Sequence, residues 1–218
     1  MKARIIKIVS KEYTLLTDQG ERLDAIVMGK VRKQDAPVAG DLVETEFVNG
    51  RWVIQKILPR HNRLIRPAVA NVDQAIIVMS VRDPDFSTAL VDRLSFLIVH
   101  AGVAPLLCVT KTDLGIPEEV EKAIREYEQG PMKVIRTAKG SLDPSLASVL
   151  ERKISVLTGQ SGAGKSTLLN LLTICQCIFH TKSWVYCFFR MLPDHLYRTI
   201  SLFRQRFSIQ QNFSLLGF

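Results

Sequence analysis

Residues Gly159-Gln160-Ser161-Gly162-Ala163-Gly164-Lys165-Ser166, continued by Thr167, fit the pattern G-x-x-x-x-G-K-[ST]. The chemistry is anion cradling. Successive backbone N–H groups must converge on phosphate oxygens, and glycine permits that curl without Cβ clashes. A helix opening at Lys165 adds its positive dipole end. Lys165 would reach the β- and γ-phosphates, and the Ser166 hydroxyl would ligate Mg²⁺. From residue frequencies such a match arises by chance on the order of once in a hundred chains of this length.

Two weaker signals point to the other end of a nucleotide. In Thr110-Lys111-Thr112-Asp113, the aspartate carboxylate can accept two hydrogen bonds from the N1–H and 2-amino group of guanine, which adenine cannot offer. The Lys111 stem would lie along the base plane. In Thr137-Ala138-Lys139, the Ala138 N–H can meet the guanine O6. Each motif alone is also compatible with a solvated loop. A generic P-loop ATPase, with Asp113 incidental, stays open as an alternative.

Positioning these residues requires strands that end at them. From Val72 onward, apolar runs alternate with helical patterns: strands are expected at Gln74–Val81, Ala104–Val109, Met132–Arg136 and Lys153–Leu157. Helices are expected at Asp85–Ala101, with Leu90, Leu94, Leu97 and Ile98 on one face, and at Pro117–Tyr127, Leu142–Leu150 and Lys165–Leu172. This grammar predicts an α/β fold with a parallel, doubly wound sheet, whose ligands bind at the carboxyl ends of the strands. All three motifs fall there. The base-reading motifs precede the phosphate loop, the reverse of ordinary guanine-nucleotide proteins, so the domain is expected to be circularly permuted.

Residues 1–58 read differently. Five short strands, Arg4–Val9, Tyr13–Thr17, Arg22–Met28, Asp41–Phe47 and Trp52–Leu58, are separated by turn signals at Asp18-Gln19-Gly20 and Asn49-Gly50. They suit a small Greek-key barrel of the oligonucleotide-binding (OB) type, in which a basic groove binds RNA. Lys2, Arg4, Lys7, Lys11, Arg32, Lys33, Arg51 and Lys56 are its candidate basic residues, while Tyr13, Phe47 and Trp52 are expected in the core, with a base-stacking platform the alternative for each. Residues 59–71, bracketed by Pro59 and Pro67, form the expected linker, with His61 a polar linker residue. Residues 72–172 form the nucleotide domain.

Charge and composition agree with that division. The net charge is +8; residues 1–66 hold thirteen Lys/Arg against eight Asp/Glu, and residues 67–172 eleven against twelve. Apolar runs are short and broken by charge, as at Lys7 between Ile5 and Val9, so no spanning helix or signal segment is read. Four cysteines without a paired framework point to a reducing, cytoplasmic setting.

Residues 173–218 depart in kind. They hold seven of the ten phenylalanines, three of the four cysteines and one acidic residue, Asp194. The segment is expected to be an aberrant hydrophobic and basic tail, the product of a shifted reading frame or a misjoined exon. The nucleotide domain would then be incomplete, with Lys153–Leu157 an apolar sheet edge that the hydrophobic tail either covers by chance or leaves as an aggregation-prone surface.

Residues 1–172 resemble the circularly permuted GTPases of small-ribosomal-subunit biogenesis, the RsgA family. The resemblance rests on the N-terminal barrel, Arg63-Leu64-Ile65-Arg66-Pro67, Asp83-Pro84, T-K-x-D and Gly159 to Thr167. It implies GTP hydrolysis coupled to late maturation of the small subunit, Mg²⁺ with the nucleotide, and a barrel contacting ribosomal RNA. A cytoplasmic monomer with no membrane partner is expected. Thr110 stands where the family more often has asparagine, a residue that braces the loop. The family pattern continues with a switch segment bearing a catalytic histidine, D-x-P-G and a zinc-binding domain. Residues 173–218 contain no D-x-x-G, and His180 and His195 lack the expected neighbours. The spacing of Cys175, Cys177, His180 and Cys187 does not match the family's zinc site, so no zinc is expected and the catalytic residues stay unassigned. A non-catalytic RNA-binding module with a dead nucleotide domain is the alternative reading.

Overall fold

A computed structural model describes residues 1–29, 31, 36–139, 144–172, 185–190 and 198–204; for residues 144, 147, 170–172, 185–190 and 198–204 it describes the backbone alone. Arg32 and Lys33, two of the expected groove residues, lie outside the described residues.

The first five strands, β1 (Lys2–Val9), β2 (Glu12–Thr17), β3 (Arg22–Val27), β4 (Leu42–Val48) and β5 (Arg51–Ile57), close into a barrel of order β1-β2-β3-β5-β4. Neighbours are antiparallel except β3 and β5, which run parallel. Period-two alternation fills the interior with Ala3, Ile5, Tyr13, Leu15, Ala25, Val43 and Ile54. Tyr13 is buried and Trp52 packs partly buried against this core, as expected from sequence. Phe47 is different: it stays 58% exposed. It lies next to the β4–β5 turn, beyond the point where the barrel has partners to cover it.

A short antiparallel pair follows, β6 (Arg63–Leu64) and β7 (Val69–Ala70). The segment is tied to the barrel by Arg60, which reaches the buried Asp41 carboxylate at 2.6 and 2.7 Å. Ala70 N–H donates to Ala39 O at 2.8 Å. The approach is so close that a Cβ on Gly40 would stand 1.9 Å from Ala70 O, and only glycine fits there.

The remaining strands form one sheet of order β10-β9-β8-β11-β12-β13: β8 (Gln74–Ser80), β9 (Ala104–Thr110), β10 (Lys133–Arg136), β11 (Ile154–Gly159), β12 (Val185–Arg190) and β13 (Arg198–Arg204). The first four are parallel. Every residue of β8 is buried, as befits a central strand covered on both faces. Ala75, Ile77 and Met79 face α1 (Thr88–His100) and α2 (Glu118–Gln129) through Val91, Ile98 and Ile124. Ile76 and Val78 face α3 (Pro144–Leu150) and α4 (Lys165–Leu172) through Leu146, Leu150, Leu168 and Leu169. Burying each such side chain contributes about 1.5–3 kcal/mol. The face expected of α1 is rotated slightly: Val91 and Ile98 are buried, whereas Leu97 is 45% exposed. The helix opens at Ser87, whose hydroxyl caps Leu90 N–H.

Of the two outcomes expected for the β11 edge, the covered one is found: β12 pairs with it antiparallel from Ile154 opposite Arg190 to Leu157 opposite Cys187, and β13 pairs with β12. The parallel sheet therefore becomes mixed. An apolar strand with unpaired N–H and C=O groups is a strong template for any β-prone segment, and Val185–Arg190 supplies one. β13 in turn runs close to β1 of the barrel.

Candidate functional site

β11 ends at Gly159 and α4 begins at Lys165, so the loop 160–164 turns from strand to helix. Gly159, Gly162 and Gly164 all have positive φ, at 133°, 82° and 91°. At Gly159 sterics add to this constraint: a Cβ there would lie 2.1 Å from Val78 O on the neighbouring strand. Lys165 is almost fully buried, and its ammonium donates to Gly159 O at 3.0 Å and to Gln160 O. The cation is thus folded back onto two carbonyls of its own loop. Ser161 and Gly162 are exposed at the rim.

The end of β9 presents Thr110 to this loop. Its hydroxyl donates to Ala163 O at 2.6 Å and lies 3.3 Å from Met79 O, so one side chain links β8, β9 and the phosphate loop. Lys111 follows in a left-handed conformation, φ 59°, and its ammonium donates to Asp83 O. Asp83 and Pro84 belong to the turn after β8; Pro84 Cδ would be 3.5 Å from a Cβ on Gly162. Thr112 and Asp113 lie in a single 3₁₀ turn, Thr112–Leu114. The turn is fixed to the loop after β10 by Thr112 Oγ1 donating to Thr137 O at 3.1 Å. Lys139 N–H donates to Asp113 Oδ1 at 2.9 Å, which aims the carboxylate while leaving Oδ2 and further lone pairs for a ligand.

Thr137 is itself held by its N–H to Val109 O at 2.8 Å. The preceding residue, Arg136, is anchored on α2, with 2.8 and 3.2 Å bonds to Glu121 and a 2.9 Å bond to Glu128. Those bonds to Arg136, with a further one from Arg125, hold the Glu121 carboxyl below the ordinary carboxylate range. In return the Arg136 pKa is raised, chiefly by its bond to Glu121.

A cavity of about 250 Å³ joins the two halves. Its walls are Thr110, Lys111, Asp113 and Leu114 on one side, Thr137, Ala138 and Lys139 above, and Gly164, Thr167 and Leu168 below. Asp113 and the phosphate-loop residue Gly164, 51 residues apart in the chain, therefore border one space. Lys165 and Ser166 do not line it. Sequence reasoning missed Leu114 and Leu168, whose apolar side chains border the space with no motif to announce them, and missed the Asp83 carbonyl as the partner of Lys111.

Mg²⁺ travelling with a nucleoside triphosphate keeps several waters and takes one or two protein oxygens besides the phosphates. The half-buried Ser166, second residue of α4, has a hydroxyl that fits that demand. Among the described residues no three His, Cys, Asp or Glu side chains group as a metal site. Cys175, Cys177, His180 and His195 lie outside the described residues. Cys187 falls in β12, where only the backbone is described. No described helix is long and apolar enough to cross a membrane.

Comparison with known proteins follows the same lines. Residues 57–182 match the family model described as RsgA GTPase. The Small ribosomal subunit biogenesis GTPase RsgA of Caldanaerobacter subterraneus subsp. tengcongensis is 37% identical over 176 residues, 79% of this chain and 59% of that protein. Its counterpart from Leuconostoc citreum is 38% identical over 180 residues, 79% of this chain and 60% of that protein. The chain thus spans about 60% of the length of these relatives. Among solved structures, YjeQ from Thermotoga maritima superposes with a TM-score of 0.71 at 30% identity, covering 90% of this chain and 72% of that one. YloQ, described as a circularly permuted GTPase, superposes with a TM-score of 0.65 at 30% identity, covering 90% of this chain and 69% of that one.

Proposed function

This chain belongs to the RsgA GTPase family, and from that premise we propose that it is a GTP-binding protein of small-ribosomal-subunit biogenesis. In this reading residues 1–58 are an RNA-contacting barrel, 59–71 a linker, and 72–172 a permuted nucleotide domain. The observation that carries the reading is the single cavity bordered by Asp113 and the end of the phosphate loop.

Each residue then has a task. Asp113, steadied by Lys139 N–H, accepts the guanine N1–H and 2-amino hydrogens. The Ala138 N–H meets O6, and the Lys111 stem covers the base. The loop backbone from Gly159 to Lys165 holds phosphate oxygens, and the Lys165 ammonium exchanges its carbonyl partners for the β- and γ-phosphates. Ser166, with Thr167 beside it, opens the helix whose N-terminus faces the anion; Ser166 supplies the protein oxygen for Mg²⁺, which neutralises phosphate charge when bound. Hydrolysis would place water in line with the γ-phosphorus of GTP, forming the new P–O bond as the bond to the β,γ-bridging oxygen breaks, with GDP as the leaving group and inorganic phosphate as the other product. Positioning that water supplies most of the catalysis in phosphoryl transfer. Residues 173–218 bring no D-x-x-G to do so, so turnover by this chain is expected to be weak. That same absence favours the second reading, a non-catalytic RNA-binding module.

Nucleotide competition tests the assignment. GTP should displace a fluorescent guanine nucleotide at far lower concentration than ATP, since a site built on base hydrogen bonds discriminates by roughly 10⁴ or more. D113N should weaken GTP and favour xanthosine triphosphate; an unchanged preference refutes the role of Asp113. K165A should abolish binding with the circular dichroism spectrum intact. A GTPase assay beside a salt-dependent RNA titration separates the two readings: turnover absent with RNA affinity retained selects the second.

A further inference from the structure

The β4–β5 hairpin leaves Phe47 58% exposed although its position in the strand has the inward parity of Val43 and Thr45. Its ring is not loose. Trp52, the residue opposite it in the ladder, stands edge-on with centroids 5.2 Å apart and planes at 62°. Trp52 is itself packed against the barrel core. The intervening Asn49-Gly50 turn is tight, both residues having positive φ. The result is an aromatic ring buttressed on one side by Trp52 and open on the other.

Two exposed arginines beside the ring offer contacts to phosphates. Arg51, in the same hairpin, is exposed, as is Arg22 on the adjoining strand β3; neither has an ion pair among the described residues. The nearby carboxylates Asp24 and Glu46 keep their charge but are turned onto Thr14 and Gln55, from which they accept hydrogen bonds. In OB-type barrels the loop between the fourth and fifth strands is one of those that bind oligonucleotides.

We propose that Phe47, backed by Trp52, is a stacking platform for an unpaired base of RNA, with Arg51 and Arg22 meeting the flanking phosphates. This rests on the reading of the barrel as an RNA-binding module and adds to it a particular site. Stacking on an aromatic ring is tolerant of base identity, so the platform holds a single-stranded nucleotide without reading its sequence.

The test uses the full chain carrying W184F, which leaves Trp52 as the single tryptophan. It is titrated with a short single-stranded RNA containing 2-aminopurine and with the same strand made abasic at that position. The parent should quench 2-aminopurine fluorescence on binding. F47A should lose that quenching and weaken affinity about tenfold, a typical loss for one stacked base, while F47W restores both. The abasic strand should bind parent and F47A alike, and the salt dependence should be shared, because the phosphate contacts are untouched. Near-ultraviolet circular dichroism of F47A checks that the exposed ring can be removed without unfolding the barrel. If the parent binds RNA and F47A binds the 2-aminopurine strand equally well, or loses abasic affinity to the same degree, the platform is overturned and the barrel reading survives. If the parent binds neither strand, both fall.

Discussion

Thr110 shows how much one hydroxyl can hold. It has a single proton, and the 2.6 Å distance to Ala163 O against 3.3 Å to Met79 O says where that proton goes. An asparagine, with two donors, would be able to serve both carbonyls; threonine serves one well and packs its methyl towards Gly164. T110V keeps the shape and removes the donor, leaving a buried carbonyl unsatisfied. It should destabilise the protein by about 1–3 kcal/mol, read as a lower urea midpoint, whereas T110S should stay near the parent. The T-K-x-D pattern was visible in the chain, and so was the chemistry available to Asp113. The Lys139 N–H that aims Asp113, 26 positions away, was not, because a backbone donor has no residue type to betray it.

Among the elements, α2 and β10 are joined by a tie that sequence spacing does not reveal. Arg136 lies 15 residues from Glu121 and meets it because α2 returns antiparallel over the strand. Glu121 also takes the ordinary i, i+4 contact from Arg125 at 3.1 Å, an exposed pair of small worth. Arg136 bonding lowers the Glu121 pKa in the folded state, so this contribution to stability is present above the unfolded carboxyl value and is lost as pH falls through it towards the depressed folded one. Urea unfolding followed from neutral pH to about pH 3 should show a steeper acid loss for the parent than for E121Q. Equal slopes would remove the tie from the account. Strand positions were legible for a simple reason: β8, β9 and β11 are apolar runs bounded by turn residues, and both faces of the sheet are covered. The rotation of α1 that exposes Leu97 was not legible, since Leu90, Leu94, Leu97 and Ile98 satisfy a helical stripe nearly as well as Val91 and Ile98 do.

In the molecule as a whole, the barrel and the sheet meet around residues 36–41 and 58–73. The Arg60–Asp41 pair is the most buried charge in that joint, with Asp41 fully inaccessible and the Arg60 side chain 11% exposed. R60A would strand a buried carboxylate that keeps Val38 N–H but loses the Arg60 guanidinium. Breaking such a pair costs about 3–5 kcal/mol, and the loss should appear in thermal melting; R60A with D41N should recover part of it. The far side of the sheet carries a different lesson. Composition marked residues 173–218 as foreign to the pattern before them, and left open whether they would cover β11 or leave it bare. β12 and β13 cover it in antiparallel sense, because an exposed apolar edge selects for hydrogen-bonding capacity rather than for a particular sequence.

The order of motifs, the type of each element and the permuted layout could be read from the chain, since glycine spacing, apolar period and turn residues act over a few neighbours and carry their physics locally. Folding in three dimensions settled the rest: that Asp113 and Gly164 border one cavity, that Phe47 stays in water while Tyr13 goes inside, and that β11 acquires a partner. These depend on which surfaces arrive side by side, and packing and hydrogen-bond satisfaction between distant segments select that arrangement, which no local pattern encodes.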